Sequence, residues 1–113
     1  MKPYFTLFLV LVVGLLHLKN NVQATVFWTE SGTGKIRLYA NGESSDVVTG
    51  LSYVSGIAID SDNQKIYWTD RGTDTIQRAN IDGSGIETLV SSDNYDAFGV
   101  ALDIPREKIY WAD

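Results

Sequence analysis

Gly56-Ile57-Ala58-Ile59-Asp60-Ser61-Asp62-Asn63-Gln64-Lys65-Ile66-Tyr67-Trp68-Thr69-Asp70 decides how the rest of this 113-residue chain is read, because residues 99–113 repeat it without a gap. Gly99-Val100-Ala101-Leu102-Asp103 overlays the first five positions, Lys108-Ile109-Tyr110-Trp111-Ala112-Asp113 overlays the last six, and eight of the fifteen positions are identical. A third copy lies upstream, where Phe27-Trp28-Thr29-Glu30 stands in the place of Tyr67-Trp68-Thr69-Asp70. Trp28 and Trp68 are 40 residues apart, Trp68 and Trp111 are 43 apart, and a period of 40 to 45 residues marks a stacked array of supersecondary units such as propeller blades.

Each period reads as strands and turns, with no window of apolar residues at helical spacing. Ile57 to Asp60 is a short apolar strand, residues 61–64 supply a turn, and Lys65 to Thr69 is aromatic and β-branched, so the two form an antiparallel hairpin. Arg71-Gly72-Thr73-Asp74 turns the chain into a strand over Thr75 to Ile81, and Asp82-Gly83-Ser84-Gly85 turns it again into Glu87 to Val90. Asp-Gly and the earlier Asn41-Gly42 favour tight hairpins because both residues tolerate positive φ. Pro105 falls in a loop, where its missing amide hydrogen costs no ladder bond. The near-continuous apolar character of Gly-Ile-Ala-Ile and Ile-Tyr-Trp-Thr predicts strands covered on both faces, as in blades stacked face to face. Small Gly56, Ala58, Gly99 and Ala101 suit the innermost strand, and Tyr67 and Trp68 are expected to point to opposite faces.

The N-terminus reads differently. Lys2 precedes an apolar run from Tyr4 to Leu18, polar Lys19-Asn20-Asn21 follows, and Val22-Gln23-Ala24 offers small or aliphatic residues at a cleavage site, so residues 1–24 are expected to form a cleaved export signal. The run is shorter than the roughly 20 apolar residues of a membrane span, and no other segment is apolar enough to make one. Setting residues 1–24 aside removes Lys2 and Lys19 and no acid, leaving 14 acids against 7 bases. That balance excludes the clustered cations of a nucleic-acid or anionic-lipid surface and tolerates a basic partner. There is no cysteine, the single histidine is His17 inside the presumed signal, and no Asn-x-Ser/Thr sequon occurs. Disulfides, histidine-based triads and zinc sites therefore drop out of the mature chain.

The three tetrapeptides, in register with Gly-x-Ala-x-Asp and the Asn80-Ile81-Asp82-Gly83 turn, resemble the low-density lipoprotein receptor class B (YWTD) repeat, found in lipoprotein-receptor-related proteins and nidogen. The resemblance runs from Thr25 to Asp113. It implies an all-β fold, two to two and a half four-stranded antiparallel blades of a six-bladed propeller. Residues 25–49 would form strands 2 to 4 of one blade, 56–90 a complete blade (a repeat unit of about 65–107), and 99–113 the first two strands of the next. It also implies that Phe27, Trp28, Tyr67, Trp68, Tyr110 and Trp111 pack between blades, and that Thr29, Thr69, Asp70 and Asp113 bond backbone groups at strand ends. Glu30 replaces the usual Asp and is expected to miss those amides; Ala112 replaces Thr and loses a hydroxyl bond. Six blades need some 240 residues, so the chain is read as a fragment of a longer receptor, the alternative being three copies assembling into one ring.

The resemblance implies an extracellular protein-binding module of endocytic or Wnt co-receptor type, with an extracellular protein ligand or co-receptor as partner, no cofactor and no metal. Arg71, Asp74, Arg78 and the stretch Ser91 to Ala97 are loop candidates for contacts, although no one of them is singled out and the binding face is left open. A nidogen-like structural role in the matrix is the alternative. An exported propeller hydrolase is the third reading. Its only carboxylate candidates are Asp60 and Asp103, whose recurrence at one register instead marks a turn role, because catalysis needs groups placed differently.

Overall fold

The computed structural model describes residues 12–18, 21–93 and 96–113, with side chains from Thr25 onward. Residues 1–11, 19 and 20 of the expected export signal, and Asn94 and Tyr95 of the Ser91 to Ala97 stretch, lie outside them. Among the described residues ten strands form three antiparallel sheets. The first runs β1 (Val12–Leu18), β2 (Asn21–Glu30), β3 (Lys35–Ala40) and β4 (Glu43–Val48) in spatial order. The second runs β5 (Val54–Asp60), β6 (Lys65–Asp70), β7 (Thr75–Asn80) and β8 (Glu87–Ser91). β9 (Val100–Asp103) and β10 (Lys108–Trp111) make the third. Among the described residues the only helical piece is a single 3₁₀ turn, Ile104–Arg106, with Pro105 in its first positions and Asp103 as its cap.

Residues 25–49 supply β2 to β4 of the first sheet, and the described part of the expected export signal adds a fourth strand beside them. Val12–Leu18 lies antiparallel along β2, from Val12 opposite Phe27 to Leu18 opposite Asn21. The physical reason is plain: an apolar segment rich in Val and Leu meets the strand requirement as readily as the export requirement, and the open ladder edge of β2 offers it amides and carbonyls.

The register places the paired residues of the second and third copies in the same slots. Ile57 pairs with Trp68 and Asp60 with Lys65, as Val100 pairs with Trp111 and Asp103 with Lys108. On the inward face of the first sheet Phe27, Ile36, Leu38 and Val48 meet Ile57, Ile66, Trp68 and Ala79 of the second, in one continuous core that also takes in Val54. Trp68 is fully buried there, while Tyr67, its neighbour on the strand, turns to the opposite face and lines an opening of about 710 Å³ towards Leu102, Ile109 and Trp111 of the third sheet. Trp111, which also lines that opening, keeps 37% of its surface exposed.

Two glycines show how tightly the sheets approach. A Cβ on Gly56 would stand 2.7 Å from the Phe98 carbonyl oxygen and 2.9 Å from Gly99 Cα, so β5 and β9 touch backbone to backbone at the narrow end of the wedge. At the hairpin tip between β7 and β8, Gly83 adopts φ 87° and leans on the first sheet, where a Cβ would meet the Val47 oxygen at 2.0 Å.

Trp68→Ala should cost about 3–5 kcal/mol, the usual range for emptying a large buried aromatic site, and Trp111→Ala less than half as much because its ring is already partly in water. Urea unfolding followed by far-ultraviolet circular dichroism measures both.

Candidate functional site

The tetrapeptide side chains tie each sheet to the next. Thr69 Oγ1 accepts from the Gly56 amide of its own inner strand at 2.9 Å and donates to the Phe98 carbonyl of the following sheet at 3.3 Å. Thr29 Oγ1, one repeat earlier, donates to the Ser55 carbonyl at 2.8 Å, and Ser55 stands directly before Gly56 as Phe98 stands before Gly99. Both hydroxyls are fully buried. Ala112 has no hydroxyl with which to repeat the tie, and only its backbone is engaged, bonding Phe98 and Gly99.

Asp70 closes the end of the blade. Its Oδ2 accepts from the Ser52 amide at 2.9 Å and its Oδ1 from the amides of Tyr53 at 2.8 Å and Gly72 at 3.0 Å, which joins the segment entering β5 to the turn leaving β6. In the third copy Asp113 Oδ1 accepts from the Asp96 amide at 3.1 Å, and Asp96 is the counterpart of Tyr53. Glu30 behaves otherwise. Its carboxylate takes the Trp28 indole N–H at 3.1 Å and the Thr33 hydroxyl at 2.9 Å, both on its own sheet.

Asp60 and Asp103 hold turns. Asp60 accepts from the amide and the side-chain amide of Asn63 at 3.0 and 2.8 Å; Asp103 accepts from the Arg106 amide at 3.3 Å and pairs with its guanidinium at 2.9 Å. Among the described residues no group of three or more His, Cys, Asp or Glu is placed to hold a metal ion.

The loop candidates separate. Arg78 is not a loop residue: it sits in the middle of β7 opposite Tyr67 and its Nε lies 2.6 Å from Glu87 Oε2. The strand continues through it because Thr75 to Asn80 pairs without a break against β6. Asp74 shapes the β6–β7 turn with φ 51°. Arg71 is different. Its guanidinium lies 3.8 Å from the Phe98 ring centre and 5.2 Å from that of Tyr53, and it grips Asp96 with two parallel bonds of 2.5 and 2.9 Å. Phe98 is 45% and Tyr53 38% exposed, so the stack forms an aromatic and charged platform on the end of the sheets where the chain enters β5 and β9. In the first copy the same position holds Ser31, whose hydroxyl simply donates to the Val54 carbonyl.

Sequence reasoning missed Tyr53 and Phe98. The signal was a departure from the repeat: Phe98 replaces Ser55 before the inner-strand glycine, and Arg71 replaces Ser31 after the tetrapeptide.

Asp70→Ala should destabilise the chain by about 2–4 kcal/mol, since it strands amides that bonded a charged acceptor, whereas Asp96→Ala should shift the unfolding midpoint much less. The ion pair has its own pH signature. The hydrogen bonds and charge of Arg71 hold the Asp96 carboxyl below the usual carboxylate range, so the stabilisation is complete above the unfolded value and fades as acid protonates Asp96. Comparing melting temperatures of the wild type and Asp96→Asn between pH 6 and pH 2 should show the difference closing on the acid side.

Comparisons with known proteins agree with this geometry. Residues 64–104 match the family model for the low-density lipoprotein receptor repeat class B. Mouse nidogen-2 is 38% identical over 68 residues, covering 57% of this chain and 5% of that protein. Human low-density lipoprotein receptor-related protein 4 is 43% identical over 51 residues, 43% of this chain and 3% of the relative. Fruit-fly nidogen is 30% identical over 76 residues, 64% of this chain and 6% of the relative. A chain in the crystal structure of a nidogen/laminin complex superimposes with a TM-score of 0.74 at 29% identity, covering 79% of this chain and 35% of its own. This chain thus spans a small part of the curated relatives and about a third of the solved neighbour. It carries the class B, or YWTD, repeat of the low-density lipoprotein receptor type, folded as blades of a β-propeller.

Proposed function

We propose that this chain is the protein-binding part of an extracellular propeller, exported by residues 1–24, and that the Tyr53–Arg71–Phe98 platform carries the contact. Phe27, Trp28, Tyr67, Trp68, Tyr110, Trp111, Gly56 and Gly99 serve in this reading as packing residues. Thr29, Thr69, Asp70, Asp113, Asp60 and Asp103 serve as ties and turn formers, and Glu30 and Ala112 are variant positions. None of them acts on a substrate.

The observation that carries the reading is the platform itself. Aromatic rings and an arginine held flat by a carboxylate give a rigid, partly dry surface that loses little side-chain freedom on binding, the composition of interface hot spots. The relatives support the setting, being matrix and cell-surface proteins, and the structural neighbour is described in complex with laminin. Two nidogens among them favour a matrix role as the second reading beside a receptor. Catalysis is not proposed, because the carboxylates of Asp60 and Asp103 are both taken up in turns.

The test uses chain secreted from cultured cells, whose N-terminus should read Thr25, immobilised and probed with laminin and with a panel of soluble matrix proteins. The expected result is saturable binding to at least one probe that falls at least tenfold in Tyr53→Ser/Phe98→Ser, while circular dichroism and melting stay close to wild type. Binding untouched by that pair of changes would remove the platform from the interface. Secreted material that begins at Met1 would overturn the export reading.

A further inference from the structure

Tyr53, Arg71, Asp96 and Phe98 come from three separate loops, and each is pinned by its backbone. The Tyr53 amide donates to Asp70 Oδ1 at 2.8 Å and the Arg71 amide to the Tyr53 carbonyl at 3.0 Å. The Asp96 amide donates to Asp113 Oδ1 at 3.1 Å and the Phe98 amide to the Ala112 carbonyl at 2.9 Å. The side chains therefore start from fixed backbone positions, which lowers the entropy lost when a partner binds.

The charge that this surface shows is not that of the arginine. Arg71 Nε and Nη2 both donate to Asp96, and the Phe98 and Tyr53 ring centres lie 3.8 and 5.2 Å from Cζ. The Arg71 side chain keeps 23% of its surface in water, against 58% for Asp96. What an incoming group meets is a carboxylate bordered by two partly exposed rings. Each carboxylate oxygen spends one acceptor site on Arg71 and keeps another. Ring faces carry negative potential, and carboxylates accept hydrogen bonds, so both select the same kind of group, a cation with N–H donors. The hydrogen bonds and charge of Arg71 hold the Asp96 carboxyl below its usual range, which leaves it ionised at neutral pH. The surroundings have the same sign. Across segments 49–54, 70–75, 91–99 and 111–113, Arg71 is the single cation beside Asp70, Asp74, Asp93, Asp96 and Asp113. A partner's carboxylate would be repelled by this field and would have to break the paired bonds on Arg71 to reach it.

We infer that the platform takes a cationic side chain, lysine or arginine, of an extracellular protein, seated on Asp96 beside the Tyr53 and Phe98 rings. This rests on the platform being the contact surface, as proposed above, and adds the chemistry of what it contacts. One copy earlier, Ser31 stands in the place of Arg71, Tyr53 in that of Asp96 and Ser55 in that of Phe98. The cation site thus belongs to the junction of the second and third sheets and not to the repeat as such.

The experiment titrates the ¹⁵N-labelled secreted chain with four peptides, acetyl-Gly-Gly-Xaa-Gly-Gly-amide, in which Xaa is arginine, lysine, citrulline or glutamate. Citrulline keeps the shape of arginine without its charge. The arginine and lysine peptides are expected to displace the Tyr53, Asp96 and Phe98 amide resonances saturably, and the other two to leave them nearly in place. Asp96→Asn should weaken the arginine peptide about three- to fivefold, the scale of one exposed ion pair. Asp62→Asn, which removes the same charge from the β5–β6 turn at the opposite end of the strands, should leave the affinity close to wild type. Citrulline binding as well as arginine, glutamate binding better than either cation, or no displacement by the cationic peptides would each overturn the inference. So would an equal loss in Asp62→Asn, because the attraction would then be to the acidic chain at large. The platform reading fails separately, when Tyr53→Ser/Phe98→Ser leaves binding to the matrix proteins untouched.

Discussion

A β-sheet with apolar residues on both faces cannot be left half wet, and everything else in this molecule follows from how that constraint is met between the first and second sheets. Phe27, Ile36 and Val48 on one side and Ile57, Ile66 and Trp68 on the other are all buried in a single core. Burial of each large side chain contributes about 1.5–3 kcal/mol, and the approach that makes it possible is set by glycine at the narrow end, where Gly56 lies against the backbone at Phe98 and Gly99. The polar ties are laid on this apolar contact. A buried threonine hydroxyl left without a partner is costly, and Thr69 both accepts and donates, across two sheets.

Much of this was legible in the sequence, because repetition multiplies the information in each residue. A single Tyr-Trp-Thr-Asp could be many things. Three related copies at spacings of 40 and 43 fix the strand order, the hairpin positions and the alternation that sends Tyr67 and Trp68 to opposite faces. The positive φ of Asn41 and Gly42 followed from their turn chemistry in the same way. What was not legible came from residues that do not repeat. Tyr53 and Phe98 were unremarkable in a composition rich in aromatics, and only the fold brings them, 45 positions apart, to either side of Arg71. Arg78 looked like a turn cation beside Asp74, yet it lies mid-strand, where its long stem runs along the sheet and only its head meets Glu87. The strand formed by Val12–Leu18 was hidden for another reason: apolar composition alone does not distinguish an export signal from a sheet strand.

Comparison of the copies also separates architecture from specialisation. Where Asp70 and Asp113 reach backward to loop amides, the register is conserved between units and the role is that of a joint. Where the copies part company, as at Glu30, Arg37, Arg71 and Phe98, the changed side chains find one another: Glu30 with Arg37, and Arg71 with Phe98. Charge on this acidic chain is thus concentrated in pairs at the places where one unit differs from the next, and is nearly absent from the seam the first two share.

The double engagement of Thr69 carries a mechanical meaning. Because one hydroxyl holds the inner strand of its own sheet and the entry of the following one, it cannot release either without unbalancing the other. A force drawn along the chain would load neighbouring wedges together, and the array would yield by coupled ruptures at its joints instead of fraying one ribbon at a time.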